Sequence, residues 1–130
     1  MKNLAEGLII IFRGVLGFPI YGIIWNIVIV AVNSASLLFL QHLPGRLVIF
    51  VWLGGTYFMA NLAQVNGFNR LLGVTHLIFW PPVLIYIYRV LPTVDMTSLY
   101  GQWLVALFMV NIVSLVIDLT DVVRYLLGDR

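Results

Sequence analysis

The chain has 130 residues, of which 62% are apolar and 9% charged, with a net charge of +2 and a mean hydropathy of +1.07. Soluble domains carry about 25% charged residues, so a water-soluble fold, intrinsic disorder and a nucleic-acid-binding surface are excluded. With no cysteine, disulfides, thiolate metal sites and cysteine nucleophiles are excluded too. What remains is an integral membrane protein whose first partner is the lipid bilayer.

Residues Lys2 to Gly17 are apolar but interrupted by Glu6 and Arg13, and the stretch is too short to cross before Pro19. It reads as a short helix lying in the interface; the alternative is an extension of the first span. A cleaved signal peptide fits less well, because Glu6 and Arg13 spoil the charge pattern and no small-x-small site precedes Pro19.

A spanning helix needs roughly 20 apolar residues, and four stretches qualify. The first runs over about 19–40, with Pro19 suited to the first turn because its missing N–H has no partner there. His42-Leu43-Pro44-Gly45 reads as a turn. The second span covers about 47–65 and ends in the polar break Asn66-Gly67-Phe68-Asn69-Arg70. The third covers about 71–91 and stops at Pro92. The fourth covers about 100–127 and is longer than the bilayer requires, so it tilts or projects into the headgroups. The fold class is an all-α membrane protein, a four-helix transmembrane bundle with a short N-terminal interfacial helix, forming one domain over 1–130.

Four spans place both termini on one side, together with Lys2, Arg13, Arg70, Arg124 and Arg130; Arg46 and Arg89 fall on the other. The positive-inside rule makes the first side cytoplasmic. Tyr100 and Trp103, at the far end of the fourth span, fit an interfacial aromatic belt.

Polar side chains inside hydrocarbon are expensive, which makes their positions informative. Asn111, Ser114, Asp118, Asp121 and Tyr125 follow alternating steps of three and four, one face of a helix. Gly54, Tyr57, Asn61 and Gln64 repeat that rhythm in the second span, and Asn26 and Asn33 align in the first. Such stripes are expected to face the bundle interior. At about 1.5 Å of rise per residue, Asn26, Asn61, His76 and Asp118 all fall roughly 8–10 Å inside the cytoplasmic boundary. They form one expected polar layer. Arg70, Asp121 and Arg124 lie just below it as gate or counter-ion, and Asn33 and Asn111 form a sparser layer near mid-membrane.

Asp118 opposite His76 is an acid–base pair in which each group influences the other's protonation, as proton relays and ion sites require. The competing reading is structural: Asn and His bond between helices while Asp121 with Arg124 neutralises a helix end. Carboxylates near a helix C-terminus oppose its dipole, a mild penalty that argues for a role beyond helix stability. Pro81 and Pro82 remove two N–H donors mid-span and are expected to kink the third helix, freeing carbonyls around Leu77 and Ile78. Tyr86, Tyr88 and Arg89 beyond them read as the outer anchor, with Arg89 snorkelling.

Other chemistry is poorly supported. His42 lies in the outer loop and His76 in the cytoplasmic half, so bis-histidine haem ligation is not expected, and one histidine with two carboxylates is sparse for a metal. No nucleophile elbow, P-loop or zinc-protease motif occurs. In size and span count the chain is similar to small multidrug transporters and small fluoride channels. It departs from the first because Glu6 precedes the span, and from the second because it lacks a polar track rich in phenylalanine and threonine. The expectation is a non-enzymatic accessory or structural subunit without cofactor, self-associating or docked in a larger membrane complex. The alternative is a small proton- or cation-coupled transporter or channel using the Asp/His pair, with an enzyme acting on a lipid or quinone a distant third.

Overall fold

The computed structural model describes residues 4–129, so the expectations for Lys2 and Arg130 lie outside the described residues. Helix α1 covers Leu4–Leu16. Helix α2 covers Ile20–Ser34 and tightens into a 3₁₀ segment over Ala35–Phe39. Helix α3 covers Leu43–Asn66. A 3₁₀ turn at Arg70–Gly73 leads into α4, Val74–Val90, which closes with a 3₁₀ turn at Leu91–Thr93. Helix α5 covers Leu99–Leu126. No strand occurs among the described residues. Four segments, Ile20–Phe39, Leu43–Asn66, Arg70–Thr93 and Leu99–Leu126, are long and apolar enough to cross a membrane.

The boundaries have local causes. Pro19 sits just outside α2 as its cap residue, one position before the first turn expected for it. Helix α3 begins at Leu43, about four residues earlier than its sequence suggests. Pro44 in the first turn has no N–H to lose there, so a Pro-Gly pair that reads as a turn starts a helix instead. Gly67 ends α3 at φ 77°, a conformation that favours glycine, with its N–H on the Ala63 carbonyl at 2.8 Å. At the start of α5 the Ser98 hydroxyl accepts from the Gly101 N–H at 3.0 Å.

Neighbouring spans alternate in direction: α3 packs on α4, α4 on α5, and α2 on α5. The core lies toward the end that holds the α2–α3 and α4–α5 connections. Phe39, Val48, Trp80, Val83, Leu84, Ile87, Trp103, Leu104 and Leu107 are buried there. Trp103 is only 7% exposed, stacks on Phe39 with ring centroids 4.8 Å apart, and donates its indole N–H to the Val32 carbonyl at 2.9 Å. This corrects the interfacial-belt reading: the indole N–H finds its acceptor on a neighbouring helix rather than in the headgroups.

The α1–α2 turn, the connection from Asn66 to Arg70 and the end of α5 gather at the opposite end of the bundle. There Phe18 packs on Phe68 at 5.6 Å and Arg70 meets Asp121. This is the end that the charge asymmetry assigns to the cytoplasm. Helix α1 reaches this end near Phe68, against which Gly14 lies, and its earlier turns run alongside α3, with Gly7 pressed on Ala60. A side chain at position 7 would collide with the Ala60 carbonyl. The two contacts, seven residues apart on α1 and eight apart in the other segment, make α1 and α3 parallel. This corrects the expected helix lying in the interface: α1 packs lengthwise on a spanning helix instead. The two are joined by small residues as membrane helices commonly are.

Candidate functional site: a polar centre at one end of the bundle

The centre begins where α4 starts. Asn69 caps the Arg70–Gly73 turn by accepting from the Leu71 N–H at 3.0 Å, which fixes the entry into α4. Gly73 then comes close to α5: a Cβ at that position would stand 3.0 Å from the Asp118 Cβ. Only a residue without a side chain lets the first turn of α4 close on α5 without displacing that carboxylate. The result is His76 Nδ1 at 3.1 Å from Asp118 Oδ2, the two side chains 21% and 18% exposed. Trp80, one turn on, stacks over His76 with centroids 6.0 Å apart. Asp118 Oδ2 is buried and makes no well-directed hydrogen bond, and the hydroxyl of Thr75, the residue before His76, is likewise buried without a partner.

One turn toward the end of α5 the charges pair across elements. Arg70 Nη1 donates to Asp121 Oδ1 at 2.6 Å and its Nη2 lies 3.8 Å from Asp129. Arg124 Nε donates to Asp129 Oδ2 at 2.8 Å. The structural reading that paired Asp121 with Arg124 is therefore corrected. Gly128, at φ 100°, turns the chain back so that Asp129 reaches Arg124, while Arg70 takes Asp121. The Asn66 amide donates to the Tyr125 hydroxyl at 3.1 Å. Asp121 and Asp129 thus pair with Arg70 and Arg124, while Asp118 is paired with His76 one turn deeper.

Deeper in the bundle Asn33 and Asn111 meet. Asn111 Nδ2 donates to Asn33 Oδ1 at 3.1 Å and to the Leu107 carbonyl at 2.9 Å, and both asparagines are fully buried. Ser36, also buried, donates to the Asn33 carbonyl at 2.6 Å, and Ser114 to that of Val110 at 2.9 Å. The layer that looked sparser in sequence is thus the one the fold encloses completely.

Of the four residues expected in one layer, His76 and Asp118 are brought together; Asn26 and Asn61 are not brought to them. Asn26 donates to the Gly22 carbonyl at 2.8 Å and Asn61 to the Tyr57 carbonyl at 2.9 Å, each on its own helix. The α3 stripe turns outward because the opposite faces carry Gly55, Ala60 and Ala63, all buried. Closeness of backbones, available only at small residues, outweighs the burial of a few amides. Pro81 and Pro82 lie inside an uninterrupted α4, Pro82 on its exposed side. Thr75 and Asp129 escaped sequence reading: Thr75 is off the His76 face by one residue, and Asp129 follows the last helix.

At the other end an open cleft of about 440 Å³ is lined by His42, Thr93, Val94, Asp95, Ser98 and Tyr100. His42 stacks on Tyr100 at 3.7 Å. The Thr97 hydroxyl and N–H, at 2.7 and 2.9 Å, hold the Asp95 carboxyl below the usual carboxylate range. No group of three or more His, Asp or Glu arranged for a metal ion occurs among the described residues.

No protein-family model matches the chain, and neither a curated protein nor a solved structure matches it. Fold and composition define a class: a small polytopic membrane protein built as an all-α bundle. Within that class, its role rests on the geometry of the polar centre.

Proposed function

We propose that the protein is a non-enzymatic accessory or structural subunit of a membrane assembly, its polar centre fixing how α4 and α5 close and presenting a charged end to a partner. The observation that carries this reading is the apolar plug beyond the asparagine pair. Val48, Ile87, Leu104 and Leu107 are fully buried and Leu84 is 3% exposed. Asn33 and Asn111 bond to each other or to their own helices, and among the described residues the buried side chains of this plug are apolar.

A second reading, a small proton- or cation-coupled transporter, is favoured by one feature. The buried Asp118 Oδ2 lies 3.1 Å from His76 Nδ1 and has no well-directed hydrogen bond. In that reading Asp118 and His76 titrate while Arg70, Asp121 and Arg124 act as gate or counter-ion. Reconstitution in liposomes with an entrapped pH dye separates the two. The subunit reading expects no proton or cation flux above protein-free vesicles, together with loss of a co-purifying partner in Asp118→Asn. A flux that disappears in Asp118→Asn overturns it in favour of transport.

A further inference from the structure

The outward face of α3 carries Phe50, Gly54, Tyr57 and Asn61, spaced four, three and four. Phe50 is 76% and Tyr57 53% exposed. Asn61 is half-buried, with its amide bonded to the carbonyl one turn back. A Cβ at Gly54 would meet nothing within 4 Å. Counted from Asn66, Asn61 lies about 8 Å and Tyr57 about 14 Å up the helix. Both therefore sit within hydrocarbon when α3 spans the bilayer, where lipid offers no hydrogen-bond partner.

Helix α1 adds a carboxylate to this face. In two parallel helices touching at Gly7 and Ala60, the residue before one contact and the residue after the other fall on the same side. Glu6, which is exposed, therefore flanks Asn61.

We propose that this face binds a second copy of the same chain, the two α3 helices related by a two-fold axis along the membrane normal. Such an axis keeps every residue at its own depth, so the face must complement itself, and this one does. Asn61 is donor and acceptor at once. The Tyr57 hydroxyl donor and the Glu6 carboxylate lie within about one helical turn of each other in depth, so each copy offers its partner the missing half of a bond. Gly54 leaves room for the backbones to approach, as small residues do in membrane helix pairs. The proposal stands apart from the subunit reading; a monomer would leave that reading intact.

The 130-residue chain has no cysteine, so single cysteines introduced into it report the interface directly. In liposomes at low protein-to-lipid ratio, oxidation is expected to cross-link Gly54→Cys into a dimer. Ile27→Cys on α2 and Ile117→Cys on α5, whose native isoleucines are 62% and 44% exposed, are expected to stay monomeric. Energy transfer between two labelled populations of the otherwise natural chain is expected to require at least tenfold more protein per lipid after Tyr57→Phe with Asn61→Leu. Equal cross-linking at all three positions, no energy transfer in the natural chain, or capture of a different membrane protein at Gly54→Cys would overturn it.

Discussion

Replacing His76 by leucine tests the centre directly. Leucine keeps the apolar bulk beneath Trp80 but removes the nitrogen 3.1 Å from Asp118 Oδ2. That oxygen is buried and already lacks a well-directed hydrogen bond, so what is lost is its ion-pair contact with the His76 nitrogen. Removing one partner of a buried polar contact costs about 1–3 kcal/mol in proteins generally. Interhelical hydrogen bonds within bilayers average about 0.6 and reach about 1.7 kcal/mol. With each side chain about a fifth exposed, the expected loss is about 1–2 kcal/mol. That corresponds to roughly 5- to 30-fold in the folded-to-unfolded ratio. Reversible unfolding in mixed micelles measures it. A cycle with Asp118→Asn isolates the pair, because once the carboxylate is gone His76→Leu is expected to cost measurably less. If His76→Leu leaves stability unchanged, or if the two substitutions add within about 0.5 kcal/mol, the contact is not energetically coupled and the argument for a paired centre fails.

Three further outcomes are expected. Asn33→Leu and Asn111→Leu each destabilise the bundle by about 0.6–1.7 kcal/mol, and a double-mutant cycle shows a coupling of that order; strict additivity would remove the pairing. Ser98→Ala costs about 1 kcal/mol, read as a lowered unfolding midpoint, through loss of the bond to the Gly101 N–H. Because folding depresses Asp95, its contribution to stability is present above the ordinary value of 3.8 and is lost as pH falls through the folded value. Thr97→Val, which removes the hydroxyl but not the N–H, is expected to move the Asp95 titration partly back up when followed by carboxyl NMR.

Segment class and number were legible because apolar length decides both. The His76–Asp118 contact was legible because helical rise converts chain position into depth. Depth does not convert into direction, however. The α3 stripe of Gly54, Tyr57 and Asn61 has the same periodicity as the α5 stripe of Asn111, Ser114 and Asp118, yet one faces out and the other in. The difference lies in which faces carry Gly55, Ala60 and Ala63, small residues that count for little in a hydropathy reading but permit close packing. Pairing across elements was equally hidden. Arg70 with Asp121 is 51 residues apart in sequence and Asn33 with Asn111 is 78. Only the observed α1–α3 packing showed Glu6 and Asn61 on one side.

These long separations bear on how the molecule is made. Of the five helices described, α5 is synthesised after the other four, yet it supplies Asn111 to α2, Asp118 to α4 and Asp121 to the turn before α4. Until it inserts, the ribosome-bound intermediate holds Asn33, His76 and Arg70 without the groups that satisfy them. A chain stopped before residue 99 is expected to be a substrate for membrane proteases. The arrival of a single helix therefore satisfies polar groups on three earlier segments at once.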